Sequence, residues 1–214
     1  MRGTAVDVVL DVGFFHDWMG RLARSIEENC DELTRLDAAI GDADHGINML
    51  RGMRAAIEAL SSEAPKDPAG VFRVTGSRLV AVVGGAAGPL YGSAFRAAAE
   101  ALGPKPEITV PELARALRAG VKAVQRIGAA EPGDKTMVDA WLPAVEALES
   151  AASGSVRSAA AAAEAAAREG MLATIPMRAR KGRASYLGWR SEGHQDPGAT
   201  STGLLFAALV DATR

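Results

Sequence analysis

Apolar residues return at every third or fourth position through most of the chain. Phe15, Trp18, Met19, Leu22, Ile26, Leu33, Leu36 and Ile40 form one such series. It predicts a long amphipathic helix over about Phe14–Ala39, stopped at Gly41. A second helix starts near Gly46 and carries Met49, Met53, Ala56, Ile57 and Leu60; Ser61–Pro68 reads as a loop by composition. The helical pattern resumes over about Val71–Val83, Leu90–Leu102, Val110–Ile127, Met137–Ser150, Val156–Met171 and Thr200–Asp211. Pro111 and Glu112 suit the first turn of their helix. The alanine tract 159–167 belongs to a helix that Gly170 is expected to end. The count is about eight, besides a short helix allowed ahead of Phe14. No segment shows sustained two-residue alternation, no repeat recurs, and no linker is long enough to divide the chain, so residues 1–214 read as one all-α domain.

Composition sharpens this picture. Alanine occupies 44 of the 214 positions and aromatics only 5%, which favours closely approaching helices. A net charge of -2 argues against a general grip on nucleic acid or on acidic membranes. The single cysteine, Cys30, rules out an internal disulfide and a four-cysteine zinc site. Asp7, Asp11 and Asp17 interrupt any apolar signal sequence, and the most apolar run, Leu79–Phe95, is too short and too glycine-rich to span a bilayer. A cytoplasmic location is the expectation.

The connections are richer than a helical bundle needs. GDADHG (41–46), VGGAAGPLYG (83–92), GAAEPGDKTM (128–137) and ARKGRASYLGWRSEGHQDPGATS (179–201) are dense in glycine and polar residues. Glycine-rich entries to helices suit the close approach of an anion. Asp37, Asp42 and Asp44 place three carboxylates within eight residues, with Asp37 poorly placed for a helix dipole near a C-terminus. Such a group repels itself unless a cation sits among it, and hard oxygen donors suit Mg²⁺ or Ca²⁺. The other reading is a solvated capping turn, with Asp44 capping the next helix. His45 fits a ligand, a phosphate donor or a brace for the turn. The VGGAAGPLYG loop is neither a Walker A loop nor a dinucleotide fingerprint, and its small residues would equally let helices cross. Asp134 is a candidate N-cap. Lys181, Arg183 and Arg190 form a basic loop suited to a phosphoryl group or to solvent. His194, Asp196 and a Pro-Gly turn follow, with Thr200 or Ser201 as a cap for the last helix.

In order and spacing, LDAAIGDADHGINM, GGAAGPLYG, EPGDKTM and KGRASYLGWRSEGHQDPGA resemble the nucleotide-binding L subunits of dihydroxyacetone kinases over essentially the whole chain. The resemblance implies a barrel of eight antiparallel helices with an adenine nucleotide and two Mg²⁺ ions at one end. Asp37, Asp42 and Asp44 match the family's metal ligands. His45, Gly46, Ile47 and Asn48 match the segment opening the next helix beneath the phosphates, and Ala86 and Ala87 match the phosphate loop. Gly128 and Met137 match positions at the adenine and ribose. Arg183, in a catalytic role, and Asp196, Pro197 and Gly198 match the loop that closes over the nucleotide. The family often has Ser or Thr where Ala87 stands; the lost hydroxyl is worth on the order of 1 kcal/mol if it bonds phosphate.

The resemblance also implies an activity. The subunit would pass the terminal phosphoryl group of a Mg²⁺-bound nucleotide to dihydroxyacetone on a separate K subunit; the nucleotide is either a resident ADP recharged by a phosphohistidine-carrying M subunit or ATP exchanging from solution, and a homodimer is one allowed assembly. The rival readings are an ATP-dependent kinase subunit for another short ketose and a nucleotide-sensing module acting on a transcription regulator. Charge balance fits the main reading: three aspartates and ADP carry about -6, which two Mg²⁺ ions at about +4 largely offset.

Overall fold

The computed structural model describes residues 8–214, which fold into nine α-helices, one 3₁₀ segment and a two-residue strand pair. The helices are α1 (Val12–Glu28), α2 (Cys30–Ile40), α3 (His45–Glu63), α4 (Pro68–Val82), α5 (Ala87–Leu102), α6 (Val110–Gly128), α7 (Val138–Ser150), α8 (Val156–Ala173) and α9 (Pro197–Ala212). The 3₁₀ segment is Arg183–Ser191.

From α3 to α9, each helix packs on the next, α9 closes on α1, and α1 packs on α3. These eight helices make the ring of an antiparallel barrel; α2 continues α1 and lies against α3 and α9. Ahead of α1, residues 1–7 of the expected short helix lie outside the described residues. Leu10–Asp11 forms β1 rather than helix and pairs antiparallel with β2 (Glu107–Ile108).

The expected long first helix is broken at Asn29, whose side-chain amide donates to the Ser25 carbonyl at 2.8 Å. Asparagine competes in this way for carbonyls that the helix would otherwise use. The expected loop over Ser61–Pro68 is shorter than its composition suggests. α3 runs to Glu63, and α4 starts at Pro68 with the Asp67 carboxylate accepting from Gly70 N at 2.7 Å. Pro at the first helical position lacks only an N–H that would have no intrahelical partner. Thr109 and Glu112 form a reciprocal capping box at the start of α6, with Pro111 beside it.

Aromatic pairs, most of them edge-to-face, fill the barrel. Phe15 meets Phe72 at 4.8 Å between ring centres, Phe72 meets Phe95 at 5.3 Å, Phe95 meets Trp141 at 6.4 Å, and Trp141 meets Phe206 at 6.2 Å. Trp18 Nε1 donates to Leu205 O at 2.9 Å and so fastens α1 to α9. Small residues set the helix spacing.

Gly170 does not end α8, as expected from sequence, but lies inside it. A Cβ there would collide with the main-chain oxygen of Asp139 on α7. Gly170→Ala should therefore force α7 and α8 apart at a cost of about 2 kcal/mol. For a chain of this length, that corresponds to a melting temperature lower by roughly 4–8 °C. An unchanged melting curve by calorimetry would contradict so close an approach.

Candidate nucleotide and metal site

The turn between α2 and α3 gathers the acidic residues. Asp37, on the last turns of α2, is buried, and its Oδ2 accepts from Asp44 N at 2.9 Å and His45 N at 3.2 Å. The start of α3 thus faces Asp37, and its free amides offset the unfavourable end of α2. Asp44 was a candidate side-chain cap for α3, but Asp37 takes that work and the Asp44 side chain makes no cap bond. Gly41 is required because a Cβ would occupy the place of the Asp37 carboxylate. Ala43 has φ 61°, a left-handed conformation that alanine adopts only under constraint, and Asp42 and Asp44 flank it.

One carboxylate oxygen from each of Asp37, Asp42 and Asp44 lies within 4.8 Å of the others. Three hard oxygen donors at this separation fit Mg²⁺. A guanidinium nitrogen of Arg183 lies 2.9 Å from Asp42 Oδ2.

This turn forms one wall of a cavity of about 480 Å³, a volume suited to a nucleotide-sized ligand. Gly84, Gly85, Ala86 and Ala87 form a second wall where α5 begins. No side chain caps the α5 N-terminus, so its amides are open to an anion. Gly85 has φ 64°, as this turn demands. The far end is apolar, made by Leu90, Val124, Ile127, Ala130 and Met137 beside Gly128. Lys181, Gly182 and Arg183 cross the mouth, and Asp196, Pro197 and Gly198 close the side.

Of the residues expected at the site, Asp37, Asp42, Asp44, His45, Ala86, Ala87, Gly128, Met137, Arg183, Asp196, Pro197 and Gly198 line this one cavity. Gly46, Ile47 and Asn48 do not. Gly46 packs α3 against the Cys30 carbonyl, Ile47 is exposed on the outer face, and Asn48 sits behind Gly84, accepting from Arg51 at 2.7 Å. Helical rotation explains this, since of α3 only the first residue, His45, turns toward the cavity. Arg190, the rival cation of the loop, is not among the cavity residues, whereas Lys181 is. Tyr91, Lys135, Thr136 and the apolar slot were not expected. The slot could have been read from the apolar stripe of α6, which continues through Val124 to a half-exposed Ile127.

His45 braces the turn. Its Nε2 shares a 2.9 Å hydrogen bond with Ser201 Oγ, which in turn meets the Tyr91 hydroxyl at 2.7 Å. Tyr91 also reaches Thr202 Oγ1 at 2.9 Å. Burial lowers the His45 pKa against the opposing pull of Asp37 and Asp44. Burial raises Tyr91 to about 12, so its hydroxyl remains a donor.

Two expected caps are replaced. Asp139, not Asp134, bonds the amides before α7, at 2.7 Å from Thr136 N, while Asp134 accepts from Glu131 N at 2.9 Å. Asp196, rather than Thr200 or Ser201, caps α9, accepting from Ala199 N at 2.6 Å.

Burial pushes the Asp196 carboxyl up to about 7, reinforced by Asp139 and Asp37 and opposed by Ala199 N and Lys135. Its folded-state pKa thus exceeds its ordinary value of 3.8. The native state then holds the extra proton between those values, and stability falls as pH rises through that window. Without nucleotide or divalent ions, Asp196→Asn should flatten the dependence of unfolding free energy on pH between about 4 and 7. An equally steep dependence in the variant would assign it to other groups.

Residues 39–211 match the family model described as the DAK2 domain. The chain is 45% identical over 200 residues to the ADP-binding subunit DhaL of the PEP-dependent dihydroxyacetone kinase of Escherichia coli, covering 92% of this chain and 95% of that protein. It is 40% identical over 195 residues to the corresponding subunit of kinase 1 of Listeria innocua, covering 90% and 92%. A D-erythrulose kinase of Mycolicibacterium smegmatis is 40% identical over 197 residues, but the match spans 33% of that longer protein. Among solved structures, the C. freundii dihydroxyacetone kinase in complex with AMP-PNP and Mg²⁺ superposes with a TM-score of 0.74 at 25% identity, over 99% of this chain and 36% of that one.

Proposed function

The chain belongs to the DAK2-domain family, and from that premise we propose that it is the ADP-binding, phosphoryl-transferring subunit of a dihydroxyacetone kinase. It works with a separate K subunit that holds dihydroxyacetone and with a phosphohistidine-carrying protein as donor. The observation that carries this reading is the meeting, in one cavity, of the carboxylate triad, the uncapped start of α5 and a loop-borne arginine. The relatives named as ADP-binding subunits match this chain over nearly their full length.

Asp37, Asp42 and Asp44 would hold two Mg²⁺ ions, which when bound neutralise phosphate charge. The open amides of α5 orient the phosphates, and the apolar slot from Leu90 to Met137 receives the base. Arg183, at the mouth, stabilises charge on the transferring group. Positioning and charge stabilisation are the main requirements of phosphoryl transfer. The choice of ketose rests with the partner, because the groups gathered in this cavity suit a metal, phosphates and a base.

The deciding experiment has two readouts. Mass spectrometry of small molecules released from the purified, heat-denatured protein should find ADP. Transfer from a phosphohistidine protein to dihydroxyacetone should require both this chain and a K subunit. Failure to bind ADP with Mg²⁺, together with no transfer in the complete mixture, would overturn the proposal. Transfer from free ATP alone would reassign the donor.

A further inference from the structure

The GDKT turn ahead of α7 contributes a lysine in an unusual position. Lys135 is only 1% exposed and has φ 63°, a left-handed backbone conformation uncommon for a side chain of this size. Its ammonium donates to main-chain carbonyls alone: Thr174 O at 2.5 Å, Ile175 O at 3.4 Å and His194 O.

These carbonyls lie at the two ends of the segment that crosses the cavity mouth. Residues 174 and 175 begin it and residue 194 ends it. Neighbouring bonds close the same neck, with Gly193 N donating to Ile175 O at 2.8 Å and Arg180 N to Asp134 O at 3.1 Å. Asp196 N donates to Thr174 Oγ1 at 3.0 Å. Beyond the neck, Ser191 Oγ accepts from Ala179 N at 2.8 Å and donates to Gly188 O at 2.7 Å. The loop is thus braced within itself and tied at its base by these bonds, while further along Ala184 and Leu187 pack on Ile40 of α2 and Arg183 pairs with Asp42.

We infer that Lys135 is a positioning residue that clasps both ends of the 176–193 loop and so sets Arg183 over the phosphate end of the cavity. Three carbonyl oxygens around one ammonium satisfy its three donors, which a buried ammonium requires. A strained backbone held by such surroundings fits a place where the chain must present a group in one direction. Lysine suits the task because its compact ammonium bonds carbonyls in several directions, whereas guanidinium donors lie in one plane.

The kinetic part of the test rests on the phosphoryl-transfer reading above; the structural part does not. Lys135→Gly deletes the ammonium while relieving the backbone, since glycine is at ease at positive φ. Hydrogen exchange should then quicken at the amides of Ala179, Arg180 and Gly193, while α5, α6 and α9 keep their protection. In the complete kinase mixture, kcat should fall by about 10- to 100-fold, while affinity for ADP with Mg²⁺ stays within about threefold. Lys135→Arg should recover little of either property. Unchanged loop exchange would overturn the inference. Loss of protection throughout the barrel would make Lys135 a residue of the fold alone, and an equal loss of rate and affinity would make it a binding residue. Should the wild-type chain transfer no phosphate, the transfer reading fails and the exchange measurement decides the clasp by itself.

Discussion

Asp42→Ala is expected to abolish Mg²⁺-dependent ADP binding while leaving the helical content unchanged. Asp42 stands on the turn after α2, and its carboxylate is paired with Arg183. That pair is partly exposed, with the Arg183 side chain 66% accessible, and such pairs contribute about 0–1 kcal/mol to stability. The fold therefore loses little. On the proposed reading, the metal cluster loses one of three ligands, leaving the phosphates without the counter-charge that offsets the remaining carboxylates. At ADP and Mg²⁺ a hundredfold above Kd, wild-type protein should gain roughly 2.7 kcal/mol of stability. Asp42→Ala should gain none, as thermal melts with and without ADP would show. Asp37→Ala is a poorer probe, because Asp37 also accepts the Asp44 and His45 amides. Its loss would mix folding with binding. If Asp42→Ala kept the wild-type thermal shift, Asp42 would not be a metal ligand.

Arg183→Ala should lower phosphoryl transfer by roughly 10²- to 10³-fold, the range seen when one charge-stabilising donor is removed. The loss of ADP affinity should be much smaller. Contacts that strengthen as the phosphoryl group leaves act mainly on rate, and the apolar slot, the α5 amides and the metals still hold the nucleotide. Lys181 lines the same cavity, so its charge remains there when Arg183 is removed. Arg183→Lys should recover little if the planar fork is required. Transfer assays with a K subunit, beside calorimetry of ADP binding, distinguish the cases. Equal losses would make Arg183 a binding residue, and no loss would take it out of the mechanism.

The helical ring was legible because its apolar residues follow the helical period. The acidic turn was legible because carboxylates crowd there without cysteine or a second nearby histidine. Element ends were harder to read. Asn29 breaks what periodicity joins, and Gly170 resembles a terminator although α7 needs its missing side chain. Caps at Asp44 and Asp134 follow from nearest neighbours in sequence, whereas the actual acceptors, Asp37 and Asp139, sit several residues away. Only tertiary contact brings Asp37 of α2 to the amides of α3. Lys135 was legible as a charge but not as a buried one, because the carbonyls that hold it lie about 40 and 60 residues further along the chain.

The three tryptophans divide sharply between the barrel and its loop. Trp18 and Trp141 are sealed in the interior, whereas Trp189 is 71% exposed on the 3₁₀ segment, close to the 88% exposed Tyr186. The wild-type chain therefore carries an intrinsic optical reporter. Two indoles emit from an apolar surround that soluble quenchers do not reach, and the third emits from water on the segment that bears Arg183. Acrylamide removes the long-wavelength component alone, so the signal of one natural side chain can be followed against a constant internal background. Loop movement becomes measurable by emission and stopped-flow mixing without an introduced dye.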